Sequence, residues 1–451
     1  MEETAKLPAT ILVIFGITGD LSHRFLLPAL AQVCSTSNLP KDFKVLGVSR
    51  RDVNVDELLR DNEKPLQKFT KIFQMNLNDP QDYKDLEARL TEMTQEMTIS
   101  PQIIFYFAVP PAAVLPIIRH LGQAGLNGPE TKLLLEKPFG FDLESARELI
   151  AQTTQYFPEE QIYRIDHYLA KEMAQNITVF LGSNAIFRDV WNSQFVEKIE
   201  IVAAEKIGIE GRAAFYESTG ALRDVVQSHL LQLAALTLME PCSEIFDFEE
   251  IPRRRLAALR QLQPPPPDKF DDFVFRAQYE GYSDEVGNPG SQVETFVNLV
   301  LSSTDARWQG VPIHLTTGKN LDQKLTEIKV TFKKTSASAA NHLLIRIQPE
   351  ESIELDLWVK APGYDRKLQK LPLSFEYQQH FGRLPDAYEQ VLVDAMSSNH
   401  ALFASSDEVL ASWSALEPIL KHWGMHEDLY FYKPGSMVDE VLSVKSDQNQ
   451  L

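Results

Sequence analysis

The chain opens with Thr10-Ile11-Leu12-Val13-Ile14-Phe15 and runs directly into Gly16-Ile17-Thr18-Gly19-Asp20-Leu21. No other feature restricts the fold as much. A short continuous apolar run rich in β-branched residues reads as a strand buried on both faces, the habit of parallel sheets. The apolar positions that follow, Leu26, Leu27, Leu30 and Val33, have helical spacing. Strand, glycine turn and helix N-terminus together suit a pyrophosphate, because the turn backbone comes close to the ligand and free amides point at it. Gly-x-x-Gly is a short pattern, and a plain strand-to-helix turn also explains it.

The same grammar continues. Strand candidates at Phe43–Ser49, Ile103–Val109, Lys132–Leu135 and Gln161–Ile165 alternate with helical stretches at 56–64, 79–96, 112–124 and 143–154. Asp79 before Pro80, and Asp142 before Leu143, read as N-caps. The alternation predicts a doubly wound, Rossmann-like α/β domain over residues 1–168, with its strand order left open. Ligands bind at the carboxyl ends of such strands. Arg50-Arg51 stands at one end, at the position that meets an adenosine ribose. An acidic residue there accepts the 2′-hydroxyl of NAD, whereas arginine suits the 2′-phosphate of NADP. Two solvated basic residues at a strand end are the plainer alternative. Lys137, in Glu136-Lys137-Pro138-Phe139-Gly140, leaves another strand end.

After about residue 169 the pattern changes. A helix over 171–181 precedes an alternating strand at Val196–Glu205 and a long buried helix at Ala221–Met239. Strand-like runs follow at 273–279, 293–302, 310–317, 325–332, 341–347 and 352–359. Helices at 387–396 and 407–423 close the chain, and 446–451 reads as a polar, disordered tail. Successive strands with few helices predict an α+β domain over 169–451 with a large, mainly antiparallel sheet.

The totals exclude several classes. Two or three domains fit 451 residues of which 44% are hydrophobic. Lysine plus arginine total 44 against 63 acidic residues, a net charge of −19. That balance suits neither nucleic acid nor an anionic membrane as a partner. No run of about 18 apolar residues predicts a membrane span. Met1–Pro8 lacks the basic and apolar segments of a signal peptide. Two distant cysteines, Cys34 and Cys242, predict reduced, buried thiols in a cytoplasmic protein and no metal site.

Between the two domains lies Arg164-Ile165-Asp166-His167-Tyr168-Leu169-Ala170-Lys171-Glu172. Its charges are interleaved with Ile165 and Leu169, which anchor it to a core and hold a site rigid. His167 and Lys171 are four apart and share a face if a helix starts there, which suits a phosphate. An exposed polar face has the same spacing. His229 falls in the buried helix. Imidazole, with an ordinary pKa of ~6.5, suits a general base, and a satisfied core histidine is the plainer reading. Asp224 and His229 are five apart, which on an ideal helix is roughly 140° of rotation. Both can face one ligand only if the helix starts near Asp224, and Gly220 permits such a start.

The nine-residue stretch resembles the signature of the glucose-6-phosphate dehydrogenases. Other segments follow the family's order: Gly16-x-x-Gly19-Asp20-Leu21, Glu136–Gly140, Gly211-Arg212, Arg223-Asp224-Val225-x-Gln227-x-His229, Trp308-x-Gly310, Gly318-Lys319 and Ala387-Tyr388-Glu389. The resemblance covers nearly the whole chain. It implies oxidation of D-glucose 6-phosphate to 6-phosphogluconolactone with reduction of NADP, NAD being a secondary coenzyme. It implies that His229 is the general base and Asp166 its carboxylate partner. His167, Tyr168 and Lys171 grip the 6-phosphate. Lys137, Glu205 and Asp224 meet sugar hydroxyls, and Lys319 and Lys324 are further substrate-side cations. Gly16, Thr18, Gly19, Asp20, Leu21, Arg50 and Lys137 form the coenzyme site. It further implies a homodimer or homotetramer built on the second domain's sheet.

Two residues depart from the family pattern. Phe25 stands where a lysine usually reaches the substrate and the base, and Ala170 replaces the signature's glycine. The alternatives are the same chemistry with NAD or another sugar phosphate, and a catalytically weakened sugar-phosphate-binding homologue, for which Phe25 is the support.

Overall fold

The computed structural model describes residues 7–242, 247–335, 339–426 and 428–448. The chain packs as two compact units. One comprises Met1–Ala170 with Pro385–Val409, and the other Lys171–Leu384 with Leu410–Leu451. The single division at 168/169 read from the sequence does not include this return of 385–409 to the first unit.

In the first unit the strands are β1 (Thr10–Phe15), β2 (Phe43–Ser49), β3 (Thr70–Gln74), β4 (Gln102–Phe107), β5 (Thr131–Leu135) and β6 (Ile162–Ile165). They form a sheet of order β6-β5-β4-β1-β2-β3, with a two-residue strand, Phe403–Ala404, added beyond β6. β1 pairs in parallel with both β2 and β4, so the order reverses at its edges, as in doubly wound dinucleotide-binding folds. Asp79 and Asp142 cap their helices as expected, accepting from Gln81 N at 2.9 Å and Ser145 N at 2.8 Å. The helix expected at 56–64 is instead a short turn at Val55–Leu58 followed by a 3-10 segment at Asp61–Phe69, with Pro65 inside it.

Buried polar contacts hold the returning segment. Arg164, 3% exposed, makes a forked pair with Glu159 at 2.7 and 3.1 Å, and Glu159 also accepts Ser406 N at 2.7 Å. Arg164 in the signature is therefore structural. Lys132 Nζ donates to Ala395 O at 2.6 Å and Ser398 Oγ at 2.8 Å, at the C-terminus of the helix Ala387–Ser397.

The second unit is built on a ten-stranded sheet. Its strands are β7 (Val196–Ala204), the short β8 (Leu262–Gln263), β9 (Val274–Tyr279), β10 (Phe296–Ser303), β11 (Ile313–Gly318), β12 (Leu325–Phe332), β13 (His342–Gln348), β14 (Ser352–Lys360) and β15 (Leu368–Glu376). The main path is β15-β14-β13-β12-β7-β11-β10-β9, ending in Tyr430–Tyr432, and most neighbours are antiparallel. β15 was not read from the sequence. Pro372 argues against a central strand, but β15 is an edge and is exposed along its length, so the missing N–H is tolerated. Cys34 and Cys242 are free and half-buried rather than buried. The C-terminal helix runs Val438–Gln448, so the tail expected from 446 begins as helix, and 449–451 lie outside the described residues. Among the described residues no helix is long and apolar enough to cross a membrane.

Asp394, on the returning helix, is 6% exposed. Burial pushes its carboxyl up to about 7, against the donors of Gln390 and Asn399. An unfolded aspartate titrates at ~3.9, so between these values the folded chain binds more protons and stability falls as pH rises. Asp394→Asn removes that term. Its thermal midpoint relative to wild type should rise by about 5 °C between pH 4.5 and pH 8. Differential scanning calorimetry at both pH values checks this, and a constant difference would contradict it.

Candidate active site

The coenzyme turn follows β1. Gly16 has φ +83°, and a Cβ there would lie 2.2 Å from Ala108 O at the end of β4. Only glycine fits so close an approach with positive φ. Gly19 N donates to Gly16 O at 2.9 Å, and Ser22 Oγ donates to the same oxygen at 2.9 Å, which closes the turn. The helix begins at Asp20, with its first amides at the carboxyl edge of the sheet and at the strand-order reversal. Thr18 is half-buried and Asp20 exposed within this turn. Arg50, exposed, follows the carboxyl end of β2.

Glu136 and Lys137 leave β5, and Asp166 leaves β6, where Leu135 pairs with Arg164. These groups therefore share one sheet edge. Asp166 is 3% exposed, and its carboxylate accepts Tyr168 N at 2.9 Å. Asp166 O accepts Leu169 N at 3.0 Å. The result is a tight turn over 166–169, not a helix. Lys171 has extended backbone (φ −69°, ψ 136°) and caps the helix Glu172–Ser183. The helical face expected for His167 and Lys171 does not form. The turn itself presents His167 and Tyr168, with their rings edge-to-face at 5.0 Å.

In the second unit, Gly220 (φ 66°, ψ 177°) breaks the helix at Ala213–Ala221. A Cβ on Gly220 would lie 2.5 Å from Glu294 Oε1. That carboxylate, 4% exposed, accepts Leu222 N at 2.9 Å, and Glu294 O accepts Ala221 N at 3.0 Å. Burial raises the Glu294 carboxyl above its ordinary value, partly offset by the Leu222 amide. The new helix starts as a π-helix over Leu222–Leu230, where Leu231 N bonds to Val226 O. Hydrogen bonds that reach five residues back widen the turn and bring residues five apart much nearer to one face than an α-helix does. Asp224 and His229 therefore come onto one face, which an α-helix would deny them. Both are buried, His229 at 2% exposure.

Glu205 and Lys319 leave the carboxyl ends of the parallel neighbours β7 and β11, where Ala204 pairs with Gly318. Lys319 Nζ forms an ion pair with Glu205 and stands 5.2 Å from the ring centroid of Tyr216. The phenol of Tyr216 is pushed well above its ordinary value by burial and then by Asp224, Glu294, Tyr432 and Glu205. Glu205, Asp224, Tyr216 and Lys319 thus belong to one polar cluster in this unit. Lys324 is exposed on the loop before β12. Sequence reading missed Glu294 and Tyr216, since a lone acid just ahead of a strand and a tyrosine in a helix carry no local signal.

The family profile described as "Glucose-6-phosphate dehydrogenase, NAD binding domain" matches residues 13–176, and that described as "Glucose-6-phosphate dehydrogenase, C-terminal domain" matches 178–448. The chain belongs to the glucose-6-phosphate dehydrogenase family. It is 35% identical to the glucose-6-phosphate 1-dehydrogenase of Chlamydia muridarum, over 97% of this chain and 96% of that protein. It is 34% identical to that of Bacillus subtilis, over 96% of each. A solved glucose-6-phosphate dehydrogenase in complex with its substrate glucose 6-phosphate superposes with a TM-score of 0.90 at 28% identity, covering 99% of both chains. The enzyme from Mycobacterium avium gives 0.81 at 28% identity, over 96% of this chain and 95% of that one.

The break at Gly220 gives a direct test. Gly220→Ala places a methyl against the Glu294 carboxylate in a backbone conformation that L-residues avoid. It should lower kcat/KM by about 100-fold, because small misplacements of reacting groups are costly. Far-ultraviolet circular dichroism should stay near wild type. A Gly220→Ala variant with wild-type kinetics would refute this role.

Proposed function

We propose that the chain oxidises D-glucose 6-phosphate at C1 to 6-phospho-D-glucono-1,5-lactone, with NADP as its coenzyme. The observation that carries this is the family membership over both units, together with the polar groups that each unit places at the ends of its own strands and helices. The family entails an oxidoreductase of carbohydrate metabolism that uses a nicotinamide dinucleotide, the first oxidative step of the pentose phosphate pathway. NADP rather than NAD is supported by Arg50 at the end of β2, where no acidic side chain precedes it to claim a 2′-hydroxyl.

The residues fit such a coenzyme. The Gly16 turn has no room for a Cβ, and the helix behind it opens at Asp20 beside the strand reversal. Gly16, Thr18, Gly19, Asp20 and Leu21 would hold the pyrophosphate side and Arg50 the 2′-phosphate. When bound, the nicotinamide supplies the hydride acceptor. His229 takes the proton from the sugar 1-hydroxyl. Asp166 is proposed as its carboxylate partner, orienting the imidazole and stabilising its charged form. His167, Tyr168 and Lys171 bind the 6-phosphate, which asks for several cationic or hydroxyl donors. Lys137, Glu205 and Asp224 orient the sugar hydroxyls, and Lys319 and Lys324 add positive charge.

A cytoplasmic location is supported by the two free, distant cysteines. A homodimer or homotetramer built on the second unit's sheet is supported by the exposed edge β15. Leu373 there is 64% exposed and nearby Phe381 67%. Apolar side chains along an open edge favour pairing with a second chain.

Coenzyme reduction, followed by absorbance with glucose 6-phosphate, tests the reading. NADP should be preferred over NAD by at least about tenfold in kcat/KM, and Arg50→Glu should erase most of that preference. His229→Ala should lower kcat by about 1000-fold with the fold intact. Full activity in His229→Ala would remove the role given to that residue. Turnover only with another sugar phosphate would overturn the substrate.

A further inference from the structure

Phe25 stands at one of the two positions at which the sequence departs from the pattern it resembles, and its surroundings give the ring a task. It lies in a π-helical turn, Ser22–Leu26, closed by Leu27 N bonding to Ser22 O. The ring is 41% exposed, yet it stacks on Tyr388 with centroids 5.4 Å apart and planes at 20°. Arg24, which pairs with Asp20 at 3.4 Å, stands 5.3 Å from the centroid of the same ring. Tyr388 comes from the returning helix, and its phenol lies close enough to the Glu136 carboxylate to interact with it. Glu136 also accepts Tyr106 Oη, from β4, at 2.5 Å. All these residues belong to the first unit.

We propose that Phe25 is a positioning residue: through Tyr388 it clamps the Glu136 carboxylate and so fixes the turn from which Lys137 projects. The argument is physical. Glu136 is the last residue before Lys137, accepts from the Tyr106 phenol and has the Tyr388 phenol, from a different element, beside it. A shift of its backbone strains these carboxylate contacts unless a phenol follows. Tyr106 is fully buried in β4 and cannot swing. Tyr388 is only partly buried, so its ring needs a wall. Phe25 is that wall, and an offset aromatic stack restricts the partner ring more than an aliphatic contact of equal area. Burial raises the Glu136 carboxyl above its ordinary value, and both phenols and Lys137 oppose that rise. This agrees with a carboxylate that depends on its donors. Asp20 and Arg24 extend the assembly from the coenzyme turn, so one continuous set of contacts joins two strand ends that carry proposed site residues.

On this account Phe25 is part of a working site, and a lysine there removes a support. The inference rests on the proposed use of Lys137 in the oxidation of glucose 6-phosphate, so two readouts are needed. One is steady-state kinetics with glucose 6-phosphate and NADP. The other is amide hydrogen exchange over 136–140, which needs no activity. Phe25→Leu, Phe25→Lys and Tyr388→Phe should each lower kcat about tenfold, with the affinity for the coenzyme alone within about twofold of wild type. Exchange over 136–140 should quicken by about tenfold in all three. Phe25→Tyr, which keeps the stack, should match wild type in both readouts within about twofold. Phe25→Lys with raised turnover would overturn the inference, and so would lowered turnover with unchanged exchange. If wild-type chain reduces no coenzyme with glucose 6-phosphate, the functional reading fails. The exchange rates then decide the inference alone: unchanged rates in Phe25→Leu refute it.

Discussion

The second unit's chemistry depends on one buried carboxylate. Glu294 accepts the first amide of the helix that begins beyond Gly220, and nothing larger than glycine fits beside it. A helix start needs partners for its free N–H groups. Here the partner is a single acid inside the unit, with its carboxyl raised by burial. Substituting an apolar residue for Glu294 would leave the Leu222 amide buried without its acceptor. The consequence reaches the site. The helix emerges wound as a π-helix, and that winding puts Asp224 and His229 on one face.

The first unit places its groups by a different device. Its parallel strands end at one edge, and the residues proposed for the site stand just beyond those ends: Gly16, Arg50, Lys137 and Asp166. Rigidity comes from buried polar contacts to the segment that returns late in the chain. Arg164 and Glu159 fasten it beside β6, Lys132 caps its helix, and Tyr388 reaches the carboxylate next to Lys137. A forked Arg–carboxylate pair that also accepts a backbone amide leaves little desolvated charge unpaired. The turn over 166–169 follows from the same economy of donors, since Asp166 satisfies the amides of Tyr168 and Leu169 itself.

Much of this was legible in the sequence because the signals were local. β1 is an unbroken apolar run ending in glycine, and its bounds match the reading residue for residue. Asp79 with Pro80, and Asp142, named their helix starts. The motifs that resemble the family named most of the proposed site. The remainder depends on partners far away in the chain. Nothing near Glu294 says that it faces Gly220. The π-helical winding has no residue pattern of its own, so an ideal helix predicted that Asp224 and His229 diverge. The spacing of His167 and Lys171 suggested a helix that the Asp166 turn pre-empts. β15 carries a proline that only an edge strand tolerates, and edge status is a property of the whole sheet. Phe25 looked like a loss because the ring on which it stacks lies more than 350 residues later.

The central claim is that the π-helical start makes Asp224 and His229 work on one substrate from one face. A double-mutant cycle on kcat/KM for glucose 6-phosphate tests it most directly, using Asp224→Asn, His229→Gln and the pair. Residues that act on a shared ligand are non-additive, so the double variant should lose far less than the product of the single losses, with a coupling of at least about 1 kcal/mol. Losses that multiply would mean that the two side chains act independently, and would contradict the account.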